Sequence, residues 1–313
     1  MIVIERDVLL IKKRTLPEEL LLLTSLRGRS KLEEKYENQF YSLEKGYKGE
    51  LVFDKWLESL KVDCIILRDL LLEVNNTQFQ IDTLVIFQSK ILMFEVKNYE
   101  GDYYLKDNKW YTSSGTEIIK SPLIQLNRSE ALLKQLLHSL GFNFPIESHL
   151  VFVNPEFFLY QAPMSLPIVF PTQVNRFVCK LDLIPSKISV RHYNLAEKLV
   201  SLHLAESSYK RVPEYSFEKL DKGVLCACGE GFMVKSTQNL LICEKCGLIE
   251  KNEPAILRCI DELFILFPKM KITKKRVYEW SNGVVSQKTL QKVLTNNYIT
   301  VELGKGSHYV KSN

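Results

Sequence analysis

The sequence predicts an α/β protein, a mixed sheet flanked by helices, followed by a cysteine-bearing unit and a small basic domain. Three observations carry that expectation. Helix-like and strand-like runs alternate through residues 46–185. Four of the seven cysteines cluster between Cys226 and Cys246, and residues 253–313 hold ten Lys or Arg against five Asp or Glu. The order helix, three strands, helix, strand places helices on the faces of a mixed sheet.

Residues 1–45 read as a charged helical segment, with "KLEEKYENQFYSLEKG" stopping at Gly46. "GYKGELVFDKWLESL" then places Leu51, Trp56, Leu57 and Leu60 on one helical stripe. Strand-like runs follow at Cys64–Val74, Phe79–Phe87 and Ile91–Val96, and "DYYLKDNKWYT" reads as a hairpin turning at Asp107-Asn108. "PLIQLNRSEALLKQLLHSLG" enters on proline and leaves on glycine, the signature of a helix. "SHLVFVNP" is a further strand, and "PIVFPTQVNRFVCKL" a strand followed by a helix. The α/β domain is expected to span residues 46–185, with a helical connector at 186–222, a cysteine unit at 223–252 and a basic domain at 253–313.

With 46% hydrophobic and 25% charged residues, the 313-residue chain has the composition of a soluble globular protein. Glu5, Arg6 and Asp7 interrupt the first apolar stretch, which argues against an export signal, and runs such as Leu20–Leu23 are too short to span a bilayer. A cytoplasmic protein with no membrane partner is expected. The odd cysteine count argues against a disulfide framework, and Cys64, Cys179 and Cys259, in apolar contexts, read as core residues. Residues 46–185 carry a net charge of −3 and residues 253–313 one of +5, so the tail is suited to a polyanion.

"QIDTLVIFQSKILMFEVKNYEG" places Asp82, Glu95 and Lys97 among apolar strand residues. A two-residue turn at Gln88-Ser89 makes facing residues sum to 177, setting Asp82 opposite Glu95 and Gln80 opposite Lys97. Opposed side chains share a face with Cβ atoms about 4.5–5.5 Å apart. Facing carboxylates repel unless a cation lies between them, and hard oxygen donors without histidine favour Mg²⁺ or Mn²⁺ over Zn²⁺. Beside such an ion Lys97 would stabilise charge developing on a phosphate or orient the attacking water. A simple salt bridge of Lys97 to Asp82 or Glu95 is the alternative reading.

"GYKGE" on a helix, then "QID", "EVKNYEG" and "PLIQL" opening the next helix, resemble the nuclease-related domain (NERD) family, over roughly residues 46–160. That family is similar to the PD-(D/E)xK superfamily of metal-dependent nucleases, so the resemblance implies a restriction-endonuclease-like fold. It implies Asp82 and Glu95 as metal ligands, with the Val96 backbone carbonyl as a further ligand and Lys97 as the catalytic lysine. Glu50 would be the acidic residue of the preceding helix, and Gln125 the glutamine opening the following one.

"CACGEGFMVKSTQNLLICEKCG" pairs C-x-C with C-x-x-C across fourteen residues. Cys226, Cys228, Cys243 and Cys246 thus form a candidate closed tetrahedral Zn²⁺ site, a structural zinc ribbon, with "FMVKS" and "LLIC" as a hairpin. Gly229 and Gly247 would supply the positive φ of the two knuckles. In the tail, Ile256, Ile260, Leu263, Phe264 and Phe267 form one stripe, "TKKRVYEWSNG" a second helix, and Ser286 caps a third with Leu290, Val293 and Leu294 inward. Two strands joined by Gly304-Lys305-Gly306 complete a unit that resembles a winged helix-turn-helix domain. Gln287, Lys288, Gln291, Lys292 and Asn296 on the outer helix face, with Lys305 at the wing tip, are the candidate DNA contacts.

The function expected is that of a Mg²⁺- or Mn²⁺-dependent nuclease delivered to DNA by its basic tail, with RNA left open. A non-catalytic DNA-binding or scaffold protein with an idle nuclease fold is the alternative, since fold does not establish chemistry. Oligomeric state is not readable from the sequence.

Overall fold

The computed structural model describes residues 9–107, 109–204, 211–301 and 306–311. Within them the chain divides into two units, one from Met1–Leu16 with Ser42–Tyr209, the other from Pro17–Tyr41 with Lys210–Asn313. In chain order the first unit opens with β1 (Leu9–Lys12), α1 (Glu18–Arg29) belongs to the second, and α2 (Glu34–Leu57) contributes to both. There follow β2 (Ile65–Val74), β3 (Thr77–Ile86), β4 (Ile91–Lys97), β5 (Gly101–Lys106), β6 (Lys109–Thr112) and α3 (Pro122–Ser139). The unit ends with β7 (Ile146–Phe152), β8 (Phe157–Tyr160), β9 (Ile168–Val169), α4 (Val174–Asp182) and α5 (Val190–Ser201).

Six strands form a mixed sheet in the order β1-β2-β3-β4-β7-β9, antiparallel across β2–β3–β4 and parallel elsewhere. Strands β6-β5-β8 make a separate small sheet. Leu126, Leu133, Leu136 and Leu137 of α3 and Leu195, Ala196 and Leu199 of α5 join one core, with Ile65, Leu84 and Met93 of the sheet. Phe53 and Leu57 of α2 and Val174, Val178 and Leu181 of α4 join the other, with Ile66, Val85 and Phe94. A sheet buried on both faces explains why these strands read as nearly continuous apolar runs.

The alternation of β2 and β3 changes phase midway. Ile65 and Leu67, then Leu70 and Leu72, face the first core; on β3, Phe79 and Ile81 are followed there by Leu84 and Ile86. The slip falls at Asp69 and Asp82, the one facing pair that the ladder skips, and Asp69 takes φ +55°. Aspartate tolerates this left-handed conformation better than most residues. The irregularity is what turns Asp82 out of a purely apolar strand pattern.

Several expectations are corrected. The first 45 residues are not all helical: β1 pairs in parallel with β2, because a short apolar run finds an open sheet edge there, a tertiary choice that periodicity does not reveal. The helix does not stop at Gly46 but runs on to Leu57. Nor does Leu51 point inward: it is 38% exposed, while Phe53 takes the buried position. Cys179 is exposed on α4 rather than a core residue. Within 186–222 the helix covers Val190–Ser201 alone among the described residues.

The second unit holds β10 (Val224–Leu225), β11 (Phe232–Lys235), β12 (Leu240–Cys243) and β13 (Ile249–Lys251), an antiparallel four-stranded sheet. Beyond it lie α6 (Asn252–Leu266), α7 (Lys274–Trp280), α8 (Gln287–Asn297) and the antiparallel pair β14 (Ile299–Val301) and β15 (His308–Val310). Thr273 and Ser286 cap α7 and α8 by accepting from Arg276 and Thr289 backbone N–H groups. Buried Arg29 of α1 makes a two-pronged ion pair with Glu262 of α6 at 2.9 and 2.5 Å. It also donates to the carbonyls of Asp221 and Gly223 and lies 3.8 Å from the Trp280 ring centroid.

Candidate active site and cysteine centre

The β3–β4 register is that of the two-residue turn: Ile86 faces Ile91 and Thr83 faces Phe94, with the Phe87 N–H bonded to the Lys90 carbonyl. The expected Asp82–Glu95 and Gln80–Lys97 pairs are not part of the ladder, which ends at Thr83–Phe94. The reason is local. Asp82 Oδ2 accepts from the Val96 backbone N–H at 2.7 Å, so a side chain replaces a strand carbonyl and the two strands part. Carboxylates thereby collect at the splayed end of the central strand pair.

Glu95 and Lys97 lie on one face of β4, by strand alternation, and Lys97 Nζ donates to Glu95 Oε1 at 2.7 Å and to Gln125 Oε1 at 3.1 Å. Asp82 is 7% exposed and Glu95 3%. Burial and the Asp82 charge push the Glu95 carboxyl up to about 8, against the pull of Lys97. Burial also raises Asp82, opposed by Lys97 and the Val96 amide. For Lys97 burial acts downward, but Glu95 and Asp82 outweigh it and the ammonium pKa is raised. One ammonium thus faces two buried carboxylates, a donor set short of positive charge.

Glu50 comes to the same end from α2. Its Oε2 accepts from Arg14 Nη1 at 2.5 Å, and burial with the Asp82 charge pushes its carboxyl to about 8. Helix α2 reaches this place because Gly49 has no side chain: a Cβ there would lie 2.6 Å from Asn98 Cβ. The sequence reading missed Arg14, Asp54 and Asp69. Arg14 also donates to Asp54 through Nε at 2.9 Å and Nη2 at 3.1 Å. It further reaches the Asp82 carbonyl at 2.9 Å and Thr83 Oγ1 at 3.2 Å. No local motif marks an arginine that joins the site from 36 residues upstream of Glu50.

The donors fit a hard divalent cation in chemistry. Asp82 and Glu95 offer carboxylate oxygens beside the Val96 peptide, and Mg²⁺ characteristically takes one or two carboxylates and keeps water in its remaining positions. They do not make a closed cage: among the described residues, the close-set group of three or more metal-ligating side chains is the cysteine one.

In that group the Sγ atoms of Cys226, Cys228, Cys243 and Cys246 all lie within 4.8 Å of one another. Cys226 and Cys246 are 3.7 Å apart, Cys228 and Cys243 3.9 Å. Tetrahedral Zn–S bonds of about 2.3 Å require sulfurs about 3.8 Å apart, so the set matches zinc. Gly229 and Gly247 both take φ +75°, as the knuckles require. At Cys243 burial opposes ionisation, yet the backbone amides of Cys246 and Lys245 bring the thiol down to about 7.

In the tail, Gln287, Lys288, Lys292 and Asn296 are exposed on α8. Gln291 is not: it is half-buried and donates to the Tyr309 hydroxyl of β15 at 2.9 Å. Lys305 lies outside the described residues.

The fold and site define a class, an α/β domain that gathers a carboxylate pair and a lysine where two central strands part. Residues 45–153 match the family model of the nuclease-related domain, which supports a nuclease-like function for the first unit. No curated protein matches the chain. No helix among the described residues is long and apolar enough to cross a membrane.

Proposed function

We propose that this chain is a metal-dependent nuclease that hydrolyses phosphodiester bonds in DNA, targeted by its C-terminal unit. The observation that carries the reading is the convergence of Asp82, Glu95 and Lys97 at the splayed end of β3 and β4, inside the span that matches the nuclease-related family. Asp82 and Glu95, with the Val96 backbone carbonyl, would hold Mg²⁺ or Mn²⁺. Such an ion supplies water activation and charge neutralisation at a phosphodiester. Lys97, kept protonated by its two carboxylate neighbours, stabilises charge that develops on the phosphate. Gln125 Oε1 accepts a further hydrogen bond from the Lys97 ammonium, restricting where it points.

The four cysteines hold a closed, structural zinc, since no coordination position is left for a substrate. Residues 253–313, three helices and a strand pair, act as a winged-helix-like module. Lys288 and Lys292 contact phosphates and Gln287 and Asn296 reach base edges, while Gln291 braces β15. An idle nuclease fold that only binds DNA is the competing function.

The test is cleavage of single- and double-stranded DNA and RNA with Mg²⁺, Mn²⁺ or chelator. Cleavage of DNA that depends on the ion is expected; a chain that binds DNA yet cuts nothing with either ion would leave the scaffold function standing. Lys288→Ala with Lys292→Ala should flatten the log K against log [salt] slope by roughly one to two units, without loss of cleavage at saturating DNA.

A further inference from the structure

We propose that Arg14 occupies the place of a second cation in this centre, so that the site takes a single divalent ion on Asp82 and Glu95 while Glu50 serves the arginine. The inference rests on the nuclease reading of the same residues and adds the number of ions and the role of a residue outside the matched span.

The guanidinium sits at the junction of the acidic groups that Asp82 does not share with Lys97. Nη1 takes Glu50 at 2.5 Å, while Nε and Nη2 take both oxygens of Asp54 at 2.9 and 3.1 Å. Nη2 also reaches the Asp82 carbonyl and the Thr83 hydroxyl. The Arg14 side chain is 2% exposed, against 18% for Glu50 and 4% for Asp54. A buried guanidinium this well supplied with acceptors is a fixed positive charge, because arginine keeps its proton at any ordinary pH. Two divalent ions share one pair of carboxylates and a phosphate at about 3.5–4 Å separation in two-metal centres. Here Glu50, the third carboxylate at this end, is engaged through one oxygen by the fixed charge of Arg14, as Glu95 is by the Lys97 ammonium and Asp82 by the Val96 amide.

The delivery of Arg14 is built into the fold. Strand β1 adds in parallel to the edge of β2, and Lys12 donates to the carbonyls of Arg68 and Asp69 at 3.0 and 2.6 Å. Those carbonyls lie at the phase change of β2, opposite Asp82 on β3, so the chain leaving β1 enters the site two residues later. Arg14 is thus a positioning residue: it fixes Glu50 and the Asp82 backbone and leaves the Asp82 and Glu95 carboxylates to the ion.

Mn²⁺ binding to the zinc-loaded full-length chain, counted by electron paramagnetic resonance, tests this without reference to cleavage. Wild type is expected to bind about one Mn²⁺. Glu50→Gln should keep it with little change in affinity, and Asp82→Asn or Glu95→Gln should lose it. Arg14→Gln should gain a second ion on the released Glu50, with Asp54 still held by Arg68 at 3.1 Å, and Arg14→Lys should not. Two ions in wild type, one of them lost in Glu50→Gln, would overturn the single-ion centre and leave the nuclease reading intact. No Mn²⁺ in wild type would remove the metal site and both readings together. If Arg14→Gln fails to fold, the Glu50→Gln count still decides.

Discussion

One buried ammonium facing two buried carboxylates keeps a proton on the carboxyl pair until about pH 8, and that imbalance governs the chemistry of single residues here. In the proposed nuclease Lys97 would act on charge that appears only in the transition state, so its removal should lower rate rather than affinity. Lys97→Ala is expected to reduce single-turnover cleavage by about 10²–10³-fold, the typical loss of one preorganised donor, with the dissociation constant for DNA nearly unchanged. A parallel loss of binding would assign Lys97 to ground-state affinity instead. The imbalance also sets a pH dependence. Glu95 and Glu50 carboxyls at about 8 lie above their unfolded values, so between about pH 4.5 and 8 the folded chain binds more protons than the unfolded one. Stability from these groups is therefore full at low pH and falls as pH rises through 8. Thermal melts without Mg²⁺ or Mn²⁺ should show wild type losing stability from pH 5 to 9 relative to Glu95→Gln, and Mg²⁺ at pH 8 should restore it. Equal slopes for the two proteins would contradict the raised Glu95 carboxyl.

Between elements, the contacts that matter join segments far apart in the chain. Arg29 of α1 and Glu262 of α6 are separated by 233 residues, and both are buried. Removing one partner strands the other charge away from water, which costs about 3–5 kcal/mol, whereas replacing both with apolar residues of similar volume can be neutral. Arg29→Ala should lower the unfolding free energy read from the Trp280 fluorescence transition in urea by that amount, and Arg29→Met with Glu262→Leu should recover most of it. If the double replacement is as unstable as the single one, the hydrogen bonds of Arg29 to the Asp221 and Gly223 carbonyls are the dominant contribution. The close approach of α2 to the end of β4 depends on Gly49 in the same way, through space that a methyl group would fill.

At the scale of the molecule the cysteine centre is the part least able to fold on burial alone. The strands around it are two to four residues long, and Val224, Met233 and Leu241 are its buried apolar side chains beside the sulfurs. Structural zinc supplies about 10–16 kcal/mol at pH 7 in small zinc units, so with the proposed zinc on these cysteines metal binding and folding would be one event there. The chain should carry about one zinc by elemental analysis, and Cys243→Ser should carry none and become open to proteolysis within residues 223–252. Zinc retained by the variant would show that the sulfurs are not the ligands.

The sequence by itself determined whatever depends on near neighbours. The turn at Gln88-Ser89 set the β3–β4 register, strand alternation put Glu95 beside Lys97, and the cysteine spacing with its two glycines set four sulfurs at zinc separation. These are short-range consequences of backbone geometry, with periods of two or turns of two to three residues. Tertiary structure alone decided the rest. It parted the strands at Asp82 by giving the Val96 amide a side-chain acceptor, drew β1 onto a sheet edge, carried α2 past Gly46, and brought it so close to Asn98 that Gly49 has no room for a side chain. It also brought Arg14 to Glu50 and Gln291 to Tyr309, pairings between groups with no fixed separation along the chain. A buried charge must find its partner wherever the fold places one, and local sequence carries no record of where that is.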